Sequence, residues 1–166
     1  MGVTSGFFNS IDYDRPYDAR DMAKIFDGII NDGVYQTLYN RFFVQPGNGL
    51  AVIVNTGRGW YNHTWILNDS RLSLGITAPD ILQPRYDAVI IEVDLVNRID
   101  RIKIKTGVPA NNPVYPSMTQ TEDTLYQYPL AYVYVSPGVS SFTQANITNA
   151  VGTSANPYVT GPLKTM

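Results

Sequence analysis

Apolar residues at 22, 25, 26, 29 and 30 recur at the spacing of one helical face, and Asp18 stands where its carboxylate would cap the first turn. With Asp21 adding negative charge there, the spacing predicts a helix over about 18–32, closed by a left-handed residue at Gly33. Its apolar stripe needs a cover, either the domain's own sheet or a neighbouring subunit. After Gly33 the period changes from 3.6 to 2, and turn residues recur every eight to twelve positions, the pattern of an antiparallel sandwich or barrel. Strands are predicted at 39–44, 50–55, 60–67, 72–76, 86–96, 99–105 and 125–135, the first two joined as a hairpin across 45–49. The pattern slips at Asp100-Arg101, which suggests a bulge or turn, and Pro129 makes 125–135 an edge strand or a bulged one. The fold class expected is mainly β: an antiparallel β-sandwich or barrel preceded by one amino-terminal α-helix. Residues 1–34 form the arm and helix, 35–139 the β body, and 140–166 a carboxy-terminal extension of the same unit, with a helical turn over 143–149 and no core signal beyond it.

Composition narrows the chemistry. The 166 residues include 12 Tyr, 6 Phe and 2 Trp but a single His and no Cys, so the side chains that most often run catalysis are nearly missing. Thiolate nucleophiles and Cys-ligated zinc are excluded, and a lone His63 cannot build a zinc site. No catalytic residue, cofactor or metal is expected, and the protein is read as not an enzyme. Lys and Arg number 12 against 14 Asp and Glu, a net charge of −2 with no basic stripe, which argues against nucleic acid as a partner. No apolar run is long enough to span a membrane, and the first eight residues lack the charge and apolar core of a secretory signal, so cytoplasmic synthesis is expected.

Three constellations stand out. Glu92 and Asp94, with Asp87 or Asp100, could form the paired carboxylates of glycosidase chemistry, but Arg101, Lys103 and Lys105 on the next strand offer them cross-strand partners on a charged face. The segment Gly57-Arg58-Gly59-Trp60-Tyr61-Asn62-His63-Thr64-Trp65 reads as glycines bending a strand whose aromatics pack. Its functional competitor is a sugar-stacking platform of Trp60, Tyr61 and Trp65. Tyr126, Tyr128, Tyr132 and Tyr134 alternate along 125–135 and therefore share one face, either a core face or an oligomer interface. The loop 106–123, with prolines at 109, 113 and 116, is long for a structureless connection and is a candidate contact with a neighbour, as is the arm 2–16.

The order of Gly6-Phe7-Phe8-Asn9-Ser10, Tyr17-Asp18-Ala19, Ile25-Phe26-Asp27-Gly28-Ile29-Ile30-Asn31-Asp32-Gly33-Val34, the Gly57-to-Trp65 segment, Tyr86-Asp87-Ala88-Val89, Tyr126-Gln127-Tyr128-Pro129-Leu130-Ala131 and Gln144-Ala145-Asn146-Ile147-Thr148 resembles the amino-terminal module of phage and prophage tail baseplate and receptor-binding proteins of Gram-positive hosts. The resemblance implies a virion structural protein that self-associates, as a trimer or hexamer, and attaches to other tail or baseplate proteins. Longer members of that family continue past the Ile147-Thr148 segment into fibre or receptor-binding domains, so an attachment or baseplate-wall role is the expectation for this chain. The alternative is a carbohydrate-binding module that recognises host-wall saccharide.

Overall fold

The computed structural model describes residues 9, 11–13, 17–26, 28–121 and 123–160. They divide into two compact units, one of the described residues up to 31 with 160, and one within 32–159.

In the first unit, α1 (Ala19–Lys24) is a turn and a half rather than the four turns that the periodicity predicts. Its start is as expected: Asp21 N–H donates to Asp18 Oδ1 at 3.0 Å and Asp18 N–H reaches back to Asp21 Oδ2 at 3.4 Å, a reciprocal cap. The helix then tightens, with Ile25 and Phe26 N–H bonding carbonyls three residues back. Gly28 takes a left-handed φ of 75°, so the chain stops being helical five residues before the predicted Gly33. An apolar stripe thus continues across turns. Met22, Ile25 and Ile29 on it are exposed.

The second unit is mainly β, built of antiparallel, sandwich-like sheets. One contains β1 (Gly33–Tyr39), β4 (Gly57–Tyr61) and β5 (Thr64–Asn68) in the order β1-β4-β5. A second contains β2 (Val44–Pro46), β3 (Ala51–Val54) and β6 (Leu72–Gly75) in the order β2-β3-β6. The largest runs β11 (Ile147–Asn149), β10 (Leu125–Val135), β7 (Arg85–Asp94), β8 (Ile99–Lys105), with β9 (Gln120–Thr121) also on β10. Val89, Ile91 and Val93 of β7 and Tyr128, Leu130 and Val133 of β10 form the spine of a single core. Val34 and Tyr61 from the first sheet and Val44, Val52 and Val54 from the second join it. Each such aliphatic side chain contributes about 1.5–3 kcal/mol by leaving water.

Several predicted strands are corrected by backbone geometry. The predicted strand 39–44 is interrupted because Tyr39, Arg41 and Phe42 all have φ between 53° and 58°, so β1 ends there and β2 starts after a turn. The predicted strand 60–67 is a hairpin: Tyr61 pairs with Thr64, and Asn62 and His63 between them have φ of 43° and 67°, as a type I′ turn requires. Asn tolerates that region; His63 occupies it without the glycine that usually announces such a turn. Close packing holds Gly57 and Gly59 of β4 to glycine. A Cβ at Gly57 would strike the Phe42 ring and one at Gly59 the Tyr61 ring, so the glycines are the floor on which two core aromatics lie.

No bulge occurs at Asp100-Arg101. β7 and β8 pair in unbroken register, Ile91 with Ile102 and Val93 with Asp100, and Asp100 turns inward to accept a 2.8 Å bond from Thr64 Oγ1. The bulge lies at Pro129-Leu130 of β10, where the register against β7 slips. The neighbouring Gln127 N–H points away from β7 to the Thr119 carbonyl, so Pro129 nitrogen faces the same side, between β9 and β11, where no ladder bond is required of it. Strand β10 is therefore bulged but not an edge.

Beyond the predicted helical turn at 143–149 the segment does carry core, contrary to expectation: Ala150 and Asn156 are buried, and Val151 and Tyr158 pack against the core. Phe142 and Ile147 are buried too, and a single 3-10 turn at Gln144–Asn146 leads into β11. Asn156 is fully buried: it accepts from Tyr61 Oη at 2.9 Å and donates to the Pro129 carbonyl at 2.9 Å. Pro157 and Val159 then bond the backbone of Val34.

Candidate functional site

The bulge at Pro129-Leu130 decides where the four tyrosines go. Tyr126 and Tyr128 pair with Val93 and Ile91 and face the core; Tyr132 and Tyr134 pair with Ala88 and Tyr86 on the other face. They do not share one face, because one extra residue reverses the side-chain alternation. Tyr128 is 7% exposed, its hydroxyl donates to Asp32 Oδ2, and its ring lies 4.6 Å from that of Tyr61. Burial pushes both hydroxyls well above the ordinary tyrosine range, with the Asp32 charge adding to the effect.

On the opposite face the loop after β8 is an ordered strap. Tyr115 stacks on Tyr132 at 3.8 Å with the rings 7° apart and meets Tyr86 edge-on at 4.7 Å, while Tyr86 lies 5.2 Å from Tyr134. The strap is fastened by polar groups. Lys105 Nζ donates to the Ser117 carbonyl at 2.7 Å and to Gln127 Oε1 at 2.6 Å, and Thr119 N–H donates to the same oxygen.

A buried ion pair fixes this strap and a second loop together. Arg85, 4% exposed, donates through Nε to Asp87 Oδ1 at 2.9 Å and through Nη2 to Asp87 Oδ2 at 3.1 Å. Its remaining donors bond the carbonyls of Thr77 and Ala78 and the Thr77 hydroxyl, holding the loop before β7. Asp87 Oδ1 also accepts the Gly107 N–H at 2.9 Å, holding the start of the strap, and Ala110 N–H bonds the Pro84 carbonyl between the two loops. Within the first loop, Asp80 Oδ1 accepts the N–H groups of Leu82 and Gln83, both at 2.8 Å, and those bonds hold its carboxyl below the usual range.

These two fastened loops present large apolar side chains to solvent. Ile81 is 87% exposed, Leu82 83%, Val108 79% and Val114 78%, with Tyr115 half open beside them. Exposed aliphatics held on a rigid backbone bind at little entropic cost, the property of an interface anchor. The predicted loop 106–123 thus contributes Val108, Val114 and Tyr115. Ile81 and Leu82 were missed by the sequence reading; the apolar pair inside the turn-rich run 77–84 was the signal that could have found them. The arm 2–16 lies largely outside the described residues.

The four carboxylates do not gather on one face. Asp87 and Asp100 point to the core side, while Glu92 sits on the strap side, 2.7 Å from Lys103 Nζ and 2.8 Å from Gln127 Nε2, with Arg101 at 4.0 Å. Asp94, with its oxygens taken by Asn97, lies 4.0 Å from Arg101. Burial alone would raise the Glu92 pKa, but the Lys103 and Gln127 bonds and the Lys103 and Arg101 charges outweigh it and hold the carboxyl below its ordinary value. A depressed folded pKa stabilises above the unfolded pKa and is lost as pH falls through the folded one. Glu92→Gln should therefore flatten the acid side of the melting-temperature profile, measured from pH 7 to 3; an unchanged slope would contradict this assignment.

The predicted sugar platform is split. Tyr61 is fully buried on the core side, whereas Trp60 and Trp65 are directly opposed partners on the outer face of the β1-β4-β5 sheet, with Trp65 60% exposed. His63 sits at the turn beyond them. Among the described residues no group of three or more His, Cys, Asp or Glu side chains could hold a metal ion, and no helix is long and apolar enough to cross a membrane. Comparison with protein-family models, with curated proteins and with solved structures finds no match.

Proposed function

We propose that the protein is a structural component of a phage tail, a baseplate or tail-tip protein that self-associates and attaches to other tail proteins, localised in the virion. The observation that carries this reading is the pair of fastened loops displaying Ile81, Leu82, Val108 and Val114, a surface suited to burial against another protein chain. The sequence resemblance supplies the kind of assembly, and the mainly antiparallel β body is compatible with it. The reading requires no catalytic group, cofactor or metal. A trimer or hexamer is the assembly that the resemblance suggests, because closed rotational symmetry lets one patch be used by every copy. The proposed architecture is a sandwich preceded by an amino-terminal helix. Electron microscopy of purified particles, with antibody against this chain, tests the proposal: label at the tail tip supports it, and particles without label refute it.

A further inference from the structure

The outer face of the β1-β4-β5 sheet carries an arrangement separate from the two fastened loops. Tyr35, Arg58 and Trp65 come from three adjacent strands, and Arg58 Cζ lies 5.7 Å from the ring centroids of both Tyr35 and Trp65. Two rings thus hold one guanidinium over the sheet. Arg58 is exposed and makes no hydrogen bond and no ion pair to any described residue. By register, the other residues on this face of β4 and β5 are Trp60, Trp65 and Leu67, none of them charged, which leaves Arg58 a cation without a carboxylate opposite.

We propose that this face binds an anionic saccharide, with Arg58 holding its phosphate or carboxylate and the Tyr35 and Trp65 rings carrying its sugar rings. The charge follows from the uncompensated guanidinium, whose planar fork matches a phosphate or carboxylate. The sugar follows from flat aromatic surface next to it: pyranose C–H faces pack on rings, and Trp65 at 60% exposure offers the surface. Tyr61, a member of the platform expected from the sequence, takes no part because it lies on the other side of the sheet. The proposal is independent of the tail reading and stands or falls without it.

Both tryptophans of the chain lie on this face, so intrinsic fluorescence reports on it directly. The full chain is titrated with N-acetylglucosamine 6-phosphate, a glucuronic acid disaccharide, neutral chitotriose, inorganic phosphate and oligothymidylate, and calorimetry repeats each titration. The two anionic sugars should bind saturably, at roughly millimolar dissociation constants or tighter. Chitotriose and inorganic phosphate should each bind at least about tenfold more weakly, since each offers only one half of the contact. Arg58→Ala and Trp65→Ala should each weaken the anionic sugars by about tenfold or more, with Arg58→Lys intermediate. Melting temperatures should stay within about 2 °C of the parent, as both side chains are exposed. No binding of either anionic sugar at about 10 mM would overturn the proposal. So would inorganic phosphate binding as tightly as the sugar phosphate, oligothymidylate binding more tightly than both sugars, or undiminished affinity in Trp65→Ala.

Discussion

Asp87→Ala is expected to destabilise the protein by about 3–5 kcal/mol, lowering the melting temperature by roughly 10 °C. Removing the carboxylate strands the Arg85 guanidinium, 4% exposed, in a site where water cannot replace its partner. It also takes the acceptor from Gly107 N–H. Arg85→Met should cost a comparable amount, because it leaves Asp87 as the buried charge and frees the carbonyls of Thr77 and Ala78. The double variant Arg85→Met with Asp87→Leu should be less destabilised than the sum of the two singles, since no lone charge remains. Calorimetry on the four proteins measures that coupling, and simple additivity would contradict the pairing. Amide exchange gives a local readout: Leu82, Gln83, Gly107 and Ala110 should lose protection in Asp87→Ala before the β7 and β10 core does.

The second large effect is at Tyr61. Tyr61→Ala should cost about 3–5 kcal/mol, since a fully buried aromatic is removed from between Gly59, Tyr128 and Asn156. Tyr61→Phe separates packing from polarity: the ring remains and only the hydroxyl bond to Asn156 is lost, leaving Asn156 Oδ1 unpaired for about 1–3 kcal/mol. Denaturant melts of both variants, with unchanged m-values, check the ranking. Equal losses for the two would mean that the hydroxyl bond, not the ring, dominates. Neither variant should change saccharide binding beyond what unfolding explains, because Tyr61 points away from Arg58.

These expectations also show where sequence reasoning ran out. Strands β8 and β10 were legible in full, at 99–105 and 125–135, and β7 nearly so, because long runs rich in β-branched residues or tyrosine that alternate with period 2 have few other stable uses. The cross-strand partners of Glu92 were legible for the same reason. Pro129 marked a possible bulge, but the faces beyond it were not legible, since tertiary pairing decides between a bulge and an edge and one extra residue exchanges core for surface. Positive φ at Tyr39, Arg41, Phe42 and His63 leaves no compositional mark, so two turns were read as strand. The helix was overread because the apolar stripe outlasts the helical backbone once Gly28 turns left-handed. Ala150 and Asn156 were overlooked because isolated core residues amid Ser, Thr and Gly carry no period.

The central claim is that the loops fastened by Arg85 and Asp87 form an assembly surface through Ile81 and Leu82. Light scattering on the size-exclusion eluate, at micromolar concentration, tests it with the parent chain and with Ile81→Asp combined with Leu82→Asp. Both side chains are more than 80% exposed, so the substitutions should leave the melting temperature within about 2 °C. The parent should elute at the mass of a closed oligomer and the double variant as a monomer of 18.5 kDa. A monomeric parent, or a variant that keeps the parent's oligomeric mass, would contradict the account.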